Sequence, residues 1–586
     1  MSLFTRIRHL PVPGRAPTDE APGPDAATAT ATAPAPRGLR AGHPDAARVL
    51  ARAVSVLAAA VVLFALLMPA SAEYFTPGQF LRLPVEAILG AALLIVLPGR
   101  PRPPVAVAMG VGLALLVVLK LLDIGFNQFL GREFDLVLDW GLLDDALSYL
   151  EDTAGRTGAL GAAAGAVVLV LLLLVGLTLA VLRLAALMVR SKERATRAVI
   201  TAGTVWITCA ALGLQLLGST PVASRNTFGL VEARGKRVAA ALRDEAAFAK
   251  EVRKDAFADV PPGELLTGLR GKDVIFAFVE SYGRGAIDDG AIAPGVRASL
   301  DEDTETLRAA GYAAKSGWLT SATYGGGSWL GHSTFLTGLW IDNQSRYRTV
   351  TSGDRLSIVG AFARTGAWRT VGVMPGVQKN WPEGRFYGFD RVYDSRDLGY
   401  RGPKFSWSTM PDQYALSAFE RLEHGRKQDK PLMSQLILTS SHQPWAPVPK
   451  LIGWDEVGDG SVYDGIEKAG KKPADVFYDD AAVKREYGRS VQYSVRSLVS
   501  YVERYGSDDT VLVLLGDHQP LARVSGNGAS HDVPVSVVAH DPEVLDRIAD
   551  WDWADGLTPG KDTPVWRMDA FRDRFLTAYG PRPGTG

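Results

Sequence analysis

The chain of 586 residues contains a single cysteine, Cys209. That excludes an intrachain disulfide and any metal site built on cysteine pairs. Cys209 sits in an apolar run and reads as a small buried hydrophobe. There is no charge of one sign to spare, with 63 Lys+Arg against 63 Asp+Glu. With no basic, aromatic-interleaved motif either, nothing points to nucleic acid as a partner. Long apolar runs are scarce after about residue 220, and almost all of them lie before it. The chain therefore divides into a membrane half and a half with soluble composition, too long together for one ordinary domain.

Residues 1–45 are rich in Pro, Ala and Thr ("PGPDAATATATAPAPRG") and lack the apolar content to offset the entropy of ordering. They are expected to form a disordered cytoplasmic tail. Apolar segments follow at about 47–70, 78–98, 103–123, 158–188 and 198–219, each near the roughly 20 residues needed to cross a bilayer core. The expectation is a five-span domain over 46–219, its first span a retained anchor rather than a cleaved signal. Arg6, Arg8, Arg15, Arg37, Arg40 and Arg48 precede the first segment, Arg100 and Arg102 join the second to the third, and "RSKERATR" joins the fourth to the fifth. By the positive-inside rule these are cytoplasmic, which puts everything after Ser219 outside the membrane. The loop "FDLVLDWGLLDDALSYL" is amphipathic and suits either a helix on the outer membrane surface or one packed on the spans. Lys120 and Asp123, near the outer end of the third segment, suit either snorkelling or contact with a lipid head group. Residues 220–270 are charged and helix-prone, a juxtamembrane connector.

Beyond it, "VIFAFV" (274–279), "TVGVM" (370–374), "LMSQLIL" (432–438) and "TVLVLL" (510–515) read as buried parallel strands, with helical patterns at 411–424 and 488–504 between them. That alternation predicts an α/β domain with a central, mostly parallel sheet over 271–580. Ligands of such sheets bind beyond the carboxyl ends of the strands. There the sequence places Glu280, then His442, then Asp517 with His518. A single acid after a strand is most often a cap or turn residue. Three strands delivering such groups to one edge suit a divalent cation, Mn²⁺, Mg²⁺ or Zn²⁺. In "SATYGGGSWLGHSTFLTG" the glycines let backbone approach a ligand, and Ser328 opens a helix whose free N–H groups favour an anion. A serine there suits nucleophilic attack on phosphorus as well as a plain N-cap. His332 follows one turn later on the same face.

"FAFVESYGR", "GGGSWLGHSTFLTG", "YGFDRVYD", "TSSHQPW" and "LLGDHQP" appear in the order seen in the alkaline phosphatase/sulfatase superfamily. The chain resembles its membrane-bound branch of lipoteichoic acid synthases and related phosphoglycerol transferases over roughly residues 45–545. The resemblance implies that Glu280, Asp517, His518 and Ser328 hold a divalent cation, with manganese the first expectation and magnesium or zinc the alternatives. It makes Ser328, where the family has threonine, the nucleophile. It makes His442 a contact to the substrate phosphate, and Trp381 and Arg385 the lining of a head-group pocket. His332 is expected to steady the phosphate or shuttle protons. His531, in "SHDVP", is similar to a later histidine in phosphoethanolamine transferases and sulfatases that helps hold a second cation, and reads equally as a surface residue. The implied activity is transfer of a phospho-alcohol group from a membrane phospholipid to a cell-envelope glycan or glycolipid. The alternatives are a phosphoethanolamine transferase, a phosphodiesterase or other hydrolase, and a non-catalytic tethered binding protein. Pro375 stands where lipoteichoic acid synthases have a histidine, which sets glycerol phosphate against other head groups. "SWLGH" does not fit the C/S-x-P-x-R motif of true sulfatases, which argues against sulfate-ester hydrolysis.

Overall fold

The structure is a computed structural model that describes residues 44–581 apart from 72–73, 131–132, 137–138, 217–219 and 379–380. Of the expected tail, 1–43 lies outside the described residues. Helices α1 (Pro44–Leu67), α2 (Val85–Val96), α3 (Arg102–Leu130), α4 (Trp140–Arg190), α5 (Lys192–Ala211) and α6 (Asn226–Val252) form the first half. Among the described residues three stretches, Asp45–Leu67, Arg102–Gln128 and Gly155–Arg190, are long and apolar enough to cross a membrane. The second expected segment is interrupted. Pro77–Phe80 is a separate short helix, and Leu83–Pro84 pairs in parallel with Ala223–Ser224 before α2 begins. A 12-residue helix such as α2 is only about 18 Å long. The fifth segment is α5, 20 residues with a charged first turn. Helix α4 breaks at Gly155, whose φ of 72° is not helical. The break separates the amphipathic stretch 140–154 from the apolar one, as the change in pattern leads one to expect.

Lys120 neither snorkels nor reaches outward. It is buried and donates to the carbonyls of Ala65 and Leu66 at 3.1 and 3.2 Å. The last carbonyls of α1 have no intrahelical partner, and the ammonium supplies one. Asp123 is fully buried, accepts from Phe134 N at 3.0 Å and pairs with Arg234 of α6. Farther along α6, Asp244 receives a two-pronged bond from Arg346 at 2.6 and 2.8 Å. Phe248 and Val252 pack with Leu330, Ile341 and Tyr347.

The second half carries β1 (Asp273–Val279), α7 (Ala293–Ala309), β2 (Ala313–Thr320), α8 (Ser328–Thr337), β3 (Arg369–Met374), β4 (Arg391–Asp394), α9 (Asp412–Phe419), β5 (Leu432–Leu438), α10 (Asp480–Tyr505), β6 (Thr510–Gly516), β7 (Asp532–Ala539), β8 (Ala554–Asp555), β9 (Val565–Arg567) and α11 (Ala570–Ala578). They form one nine-stranded sheet ordered β8-β2-β7-β6-β1-β5-β3-β4, with β9 beside β2. The run β6-β1-β5-β3-β4 is parallel, and β7 turns antiparallel beside β6. All four expected strands are present and adjacent in that run. The sheet is covered on both faces, which is why its strands are apolar throughout rather than alternating. In β1, Val274, Phe276 and Phe278 enter one core with Phe335, Phe362 and Phe575, while Ile275, Ala277 and Val279 enter the other with Val491, Val495 and Leu498 of α10. Each such Phe or Val contributes about 1.5–3 kcal/mol on burial. That anchoring fixes where the strands end.

Candidate active site

Three central strands end in register. Val279 of β1 pairs with Gly516 of β6 on one side and with Leu438 of β5 on the other. The residues that come next are therefore neighbours: Glu280 after β1, Asp517 and His518 after β6, and the loop bearing His442 after β5. Glu280, Asp517 and His518 are buried, and one ligand atom from each lies within 4.8 Å of the others.

Ser328 reaches the cluster from a separate element. Gly327, at φ 79°, turns the chain through the left-handed region in which a side chain would be strained, and α8 starts at the next residue. Ser328 Oγ then lies 2.9 Å from Glu280 Oε2 and 3.1 Å from both Glu280 Oε1 and His518 Nε2. The serine is half-buried while its partners are enclosed, so Ser328 is the most exposed member of the cluster.

Each ligand-type group is oriented from behind. Asp517 Oδ1 accepts from the backbone N–H groups of Ser281 and His518 at 2.8 and 2.7 Å, leaving Oδ2 without a hydrogen-bond partner. The Nδ1 atoms of His518 and His442 face the carbonyls of Gln519 and Gln443 at 2.7 and 2.6 Å. A carbonyl accepts only, so Nδ1 carries a hydrogen on both rings and Nε2 is left for other partners, which for His518 are Ser328 and Glu280. Ser441 Oγ donates to the Glu280 carbonyl at 2.6 Å. Burial alone would raise the Glu280 carboxyl, but the His518 ring, helped by His442 and His332, holds it well below the usual carboxylate range. Burial alone would lower His518, yet Asp517 and Glu280 push it up to about 9. Burial lowers His442, which favours its neutral form.

The other expected residues are placed less uniformly. His332 is buried, with Nε2 3.4 Å from Asp517 Oδ2. Trp381 stacks on Tyr387 and donates Nε1 to Tyr347 Oη at 3.0 Å. Tyr387 meets Ser333 of α8 at 2.5 Å, so Trp381 braces the helix that carries Ser328. Arg385 is exposed. Among the described residues neither Trp381 nor Arg385 bonds to the Glu280–Ser328–His518 cluster. His531 is exposed, its ring 5.3 Å from that of Tyr324, and among the described residues it does not join the Glu280, Asp517 and His518 group. Two contributors escaped the sequence reading. Trp407 stacks face to face on His442, 3.7 Å between centroids at 16°. Asp412 accepts the N–H groups of Thr439 and Ser440 at 2.7 and 3.0 Å and so sets the His442 loop. Asp412 opens a recognised helical pattern; "FSWST" around Trp407 carries no periodic or motif signal.

No protein-family model matches the chain, and no curated protein is significantly similar to it. Solved structures do resemble it. Among them are a lipoteichoic acid synthase and a protein of the alkaline phosphatase superfamily. The synthase is LtaP from Listeria monocytogenes, 16% identical, covering 57% of this chain and 78% of that one at a TM-score of 0.36. The superfamily protein, from Vibrio parahaemolyticus, is 19% identical over 58% of this chain and 75% of that one, with a TM-score of 0.35. The phosphoglycerol transferase GacH of Streptococcus pyogenes, in complex with sn-glycerol-1-phosphate, is 14% identical over 57% of this chain and 79% of that one, with a TM-score of 0.33.

Proposed function

We propose that this chain is a membrane enzyme that moves a phospho-alcohol group from a phospholipid to an envelope glycan or glycolipid through Ser328. One observation carries the reading: a half-exposed serine hydroxyl at a helix start lies within 3.1 Å of both a buried carboxylate and a buried imidazole. A divalent cation fits the donor set, because Asp517 Oδ2 is buried without a partner beside Glu280 and His518. Glu280, Asp517, His518 and Ser328 Oγ would hold it. When bound, such a cation lowers the pKa of a coordinated hydroxyl and polarises a phosphoryl oxygen.

The residues divide the work. Ser328 Oγ forms a bond to phosphorus as the bond from phosphorus to the diacylglycerol oxygen breaks, and the serine proton ends on that leaving alcohol. The free N–H groups at the start of α8 favour the phosphate's charge. An acceptor hydroxyl then attacks phosphorus as the bond from phosphorus to Ser328 Oγ breaks, and the neutral Nε2 of His442 takes the acceptor's proton, which ends on the departing Ser328 Oγ and restores the free serine. Residues 46–219 anchor the enzyme, 220–270 connect, and 271–580 carry the chemistry outside the membrane. Five crossings suit this arrangement best, because three alone would put both Arg100 and the "RSKERATR" stretch on the outer side, against the positive-inside pattern.

The test is to incubate the purified full chain with Mn²⁺ or Zn²⁺ and fluorescent phospholipids differing in head group, with and without a glycolipid acceptor. Diacylglycerol release that yields a head-group-bearing acceptor supports transfer. Release of free phospho-alcohol at an unchanged rate in both cases makes the enzyme a hydrolase. No release from any lipid rejects the reading.

A further inference from the structure

A half-open cavity of about 840 Å³ lies among α1, α2, α3, α4 and α5 in the membrane half. Small residues facing one another leave the space: Gly90 and Ala91 of α2, Gly112 of α3, and Ala198 and Ala202 of α5. Protein interiors are close-packed and hold few voids larger than a water molecule, so a space of this size calls for an occupant.

The lining says what kind. Among the described residues that line the cavity, only Glu86 and Thr227 are polar, and both already have partners. Glu86 Oε1 accepts from Phe228 N at 2.9 Å, and Thr227 Oγ1 donates to the Leu66 carbonyl at 3.3 Å. An internal water needs two to four polar partners, and the remaining side chains of the wall are apolar. Hydrocarbon fits where water does not.

The length of the cavity can be read along α3. Lys120 bonds the Leu66 carbonyl at the polar end, and Ala106 packs with Val181 and Ala185 toward the other. These two α3 residues are 14 positions apart, about 21 Å. One leaflet of a roughly 30 Å hydrocarbon core is about 15 Å deep, so a whole acyl chain can be housed. The polar end adjoins the start of α6, the helix whose far end packs Phe248 against Leu330 of α8. A lipid seated here therefore has its glycerol end on the side of the strut that reaches the Ser328 helix.

We infer that this cavity seats an acyl chain of the phospholipid that donates the transferred group, with the glycerol end toward Glu86 and Thr227, so that the enzyme selects its donor by tail as well as by head group. The inference rests on the donor reading given above.

The experiment uses the full chain in vesicles of phosphatidylglycerol and phosphatidylethanolamine, each with a trace of the same lipid bearing a diazirine at one acyl end. After irradiation, mass spectrometry locates the label. Gly112→Leu fills the cavity without a clash, since a Cβ there meets nothing within 4 Å, and Ala202→Leu fills it from α5. Gly165→Leu, on the exposed side of α4 and equally free of contacts, is the control. Melting curves check that each variant folds. Label is expected to concentrate on lining residues such as Leu94, Met188 and Val199, to fall at least fivefold in both filling variants, and to stay within twofold in the control. In diacylglycerol release from the same vesicles, KM for a long-chain donor should rise at least fivefold in the filling variants, with kcat unchanged and KM for the dihexanoyl form of that donor unaltered. Label spread evenly over the lipid-facing helices, or undiminished in both filling variants, overturns the inference. Label lost with KM unchanged overturns it too, and makes the bound chain that of a structural lipid. No release from any lipid rejects the donor reading itself, and the labelling then still reports whether the cavity holds a chain.

Discussion

Replacing Gly516 with alanine should disable the site from behind. Gly516 is the last residue of β6, and the added Cβ would lie 1.8 Å from the Tyr282 carbonyl oxygen and 2.8 Å from its carbonyl carbon. Both are backbone atoms, so no side chain can swing away. Reaching an ordinary contact of 3.4 Å requires the end of β6 to part from the 280–282 turn by about 1.6 Å. That displacement breaks the 2.8 Å bond from Ser281 N to Asp517 Oδ1 and separates Asp517 from Glu280. Overpacking against backbone costs about 3 kcal/mol, which lowers the melting midpoint by on the order of 5–10 °C. Losing an orienting bond to a ligand carboxylate weakens metal binding by about 10–100-fold. The assay pairs thermal melting with metal titration of the full chain. Gly263→Ala, which meets nothing within 4 Å, serves as the control and should stay within about 0.5 kcal/mol of wild type. If Gly516→Ala keeps wild-type stability and metal affinity, the claim that the strand end holds the ligands rigidly is wrong.

Three further outcomes are expected. Trp407→Ala removes the stack that pins His442, worth about 0.5–1.5 kcal/mol, so kcat should fall roughly 2–10-fold, while Trp407→Phe keeps most of the rate. His518, raised to about 9 by Asp517 and Glu280 against the effect of burial, is protonated in the metal-free protein at neutral pH. A cation must displace that proton, so between about pH 7 and 9 apparent affinity should weaken about tenfold per unit of falling pH. Titration calorimetry in buffers of different ionisation heat measures the released proton, and Ser328→Ala separates it from any released by the serine. Arg572 is fully buried and pairs with Asp255 at 2.6 Å, so Arg572→Met, which leaves that carboxylate with only the more distant Arg355 at 3.5 Å, should cost about 3 kcal/mol in unfolding experiments and leave metal affinity unchanged.

The parts that could be read from sequence share one property: their signal is local. The four parallel strands are continuous apolar runs because both faces of the sheet are covered, and Glu280, Asp517 and His518 follow those runs directly. Ser328 was marked by its glycines. Strands β2 and β7 are weaker signals. "AAKSGWLT" carries Lys315, Ser316 and Gly317, and "DVPVSVVA" carries Pro534, so neither reads as a plain apolar run. The stack of Trp407 on His442 joins residues 35 positions apart through tertiary packing alone. The inward turn of Lys120 depends on where α1 ends, which hydropathy cannot give. The second apolar segment shows the converse: its composition is right for a span, but Pro84 divides it.

The mechanism proposed for Ser328 requires its covalent attachment to the phosphoryl group. It is tested most directly by incubating the full chain with cation and phospholipid, quenching in acid, and weighing the peptide that contains Ser328. The account expects an increment equal to the phospho-alcohol group less water, present only with lipid and cation and absent in Ser328→Ala, which also ceases to release diacylglycerol. Release that continues in Ser328→Ala, with no increment on the wild-type peptide, would contradict it.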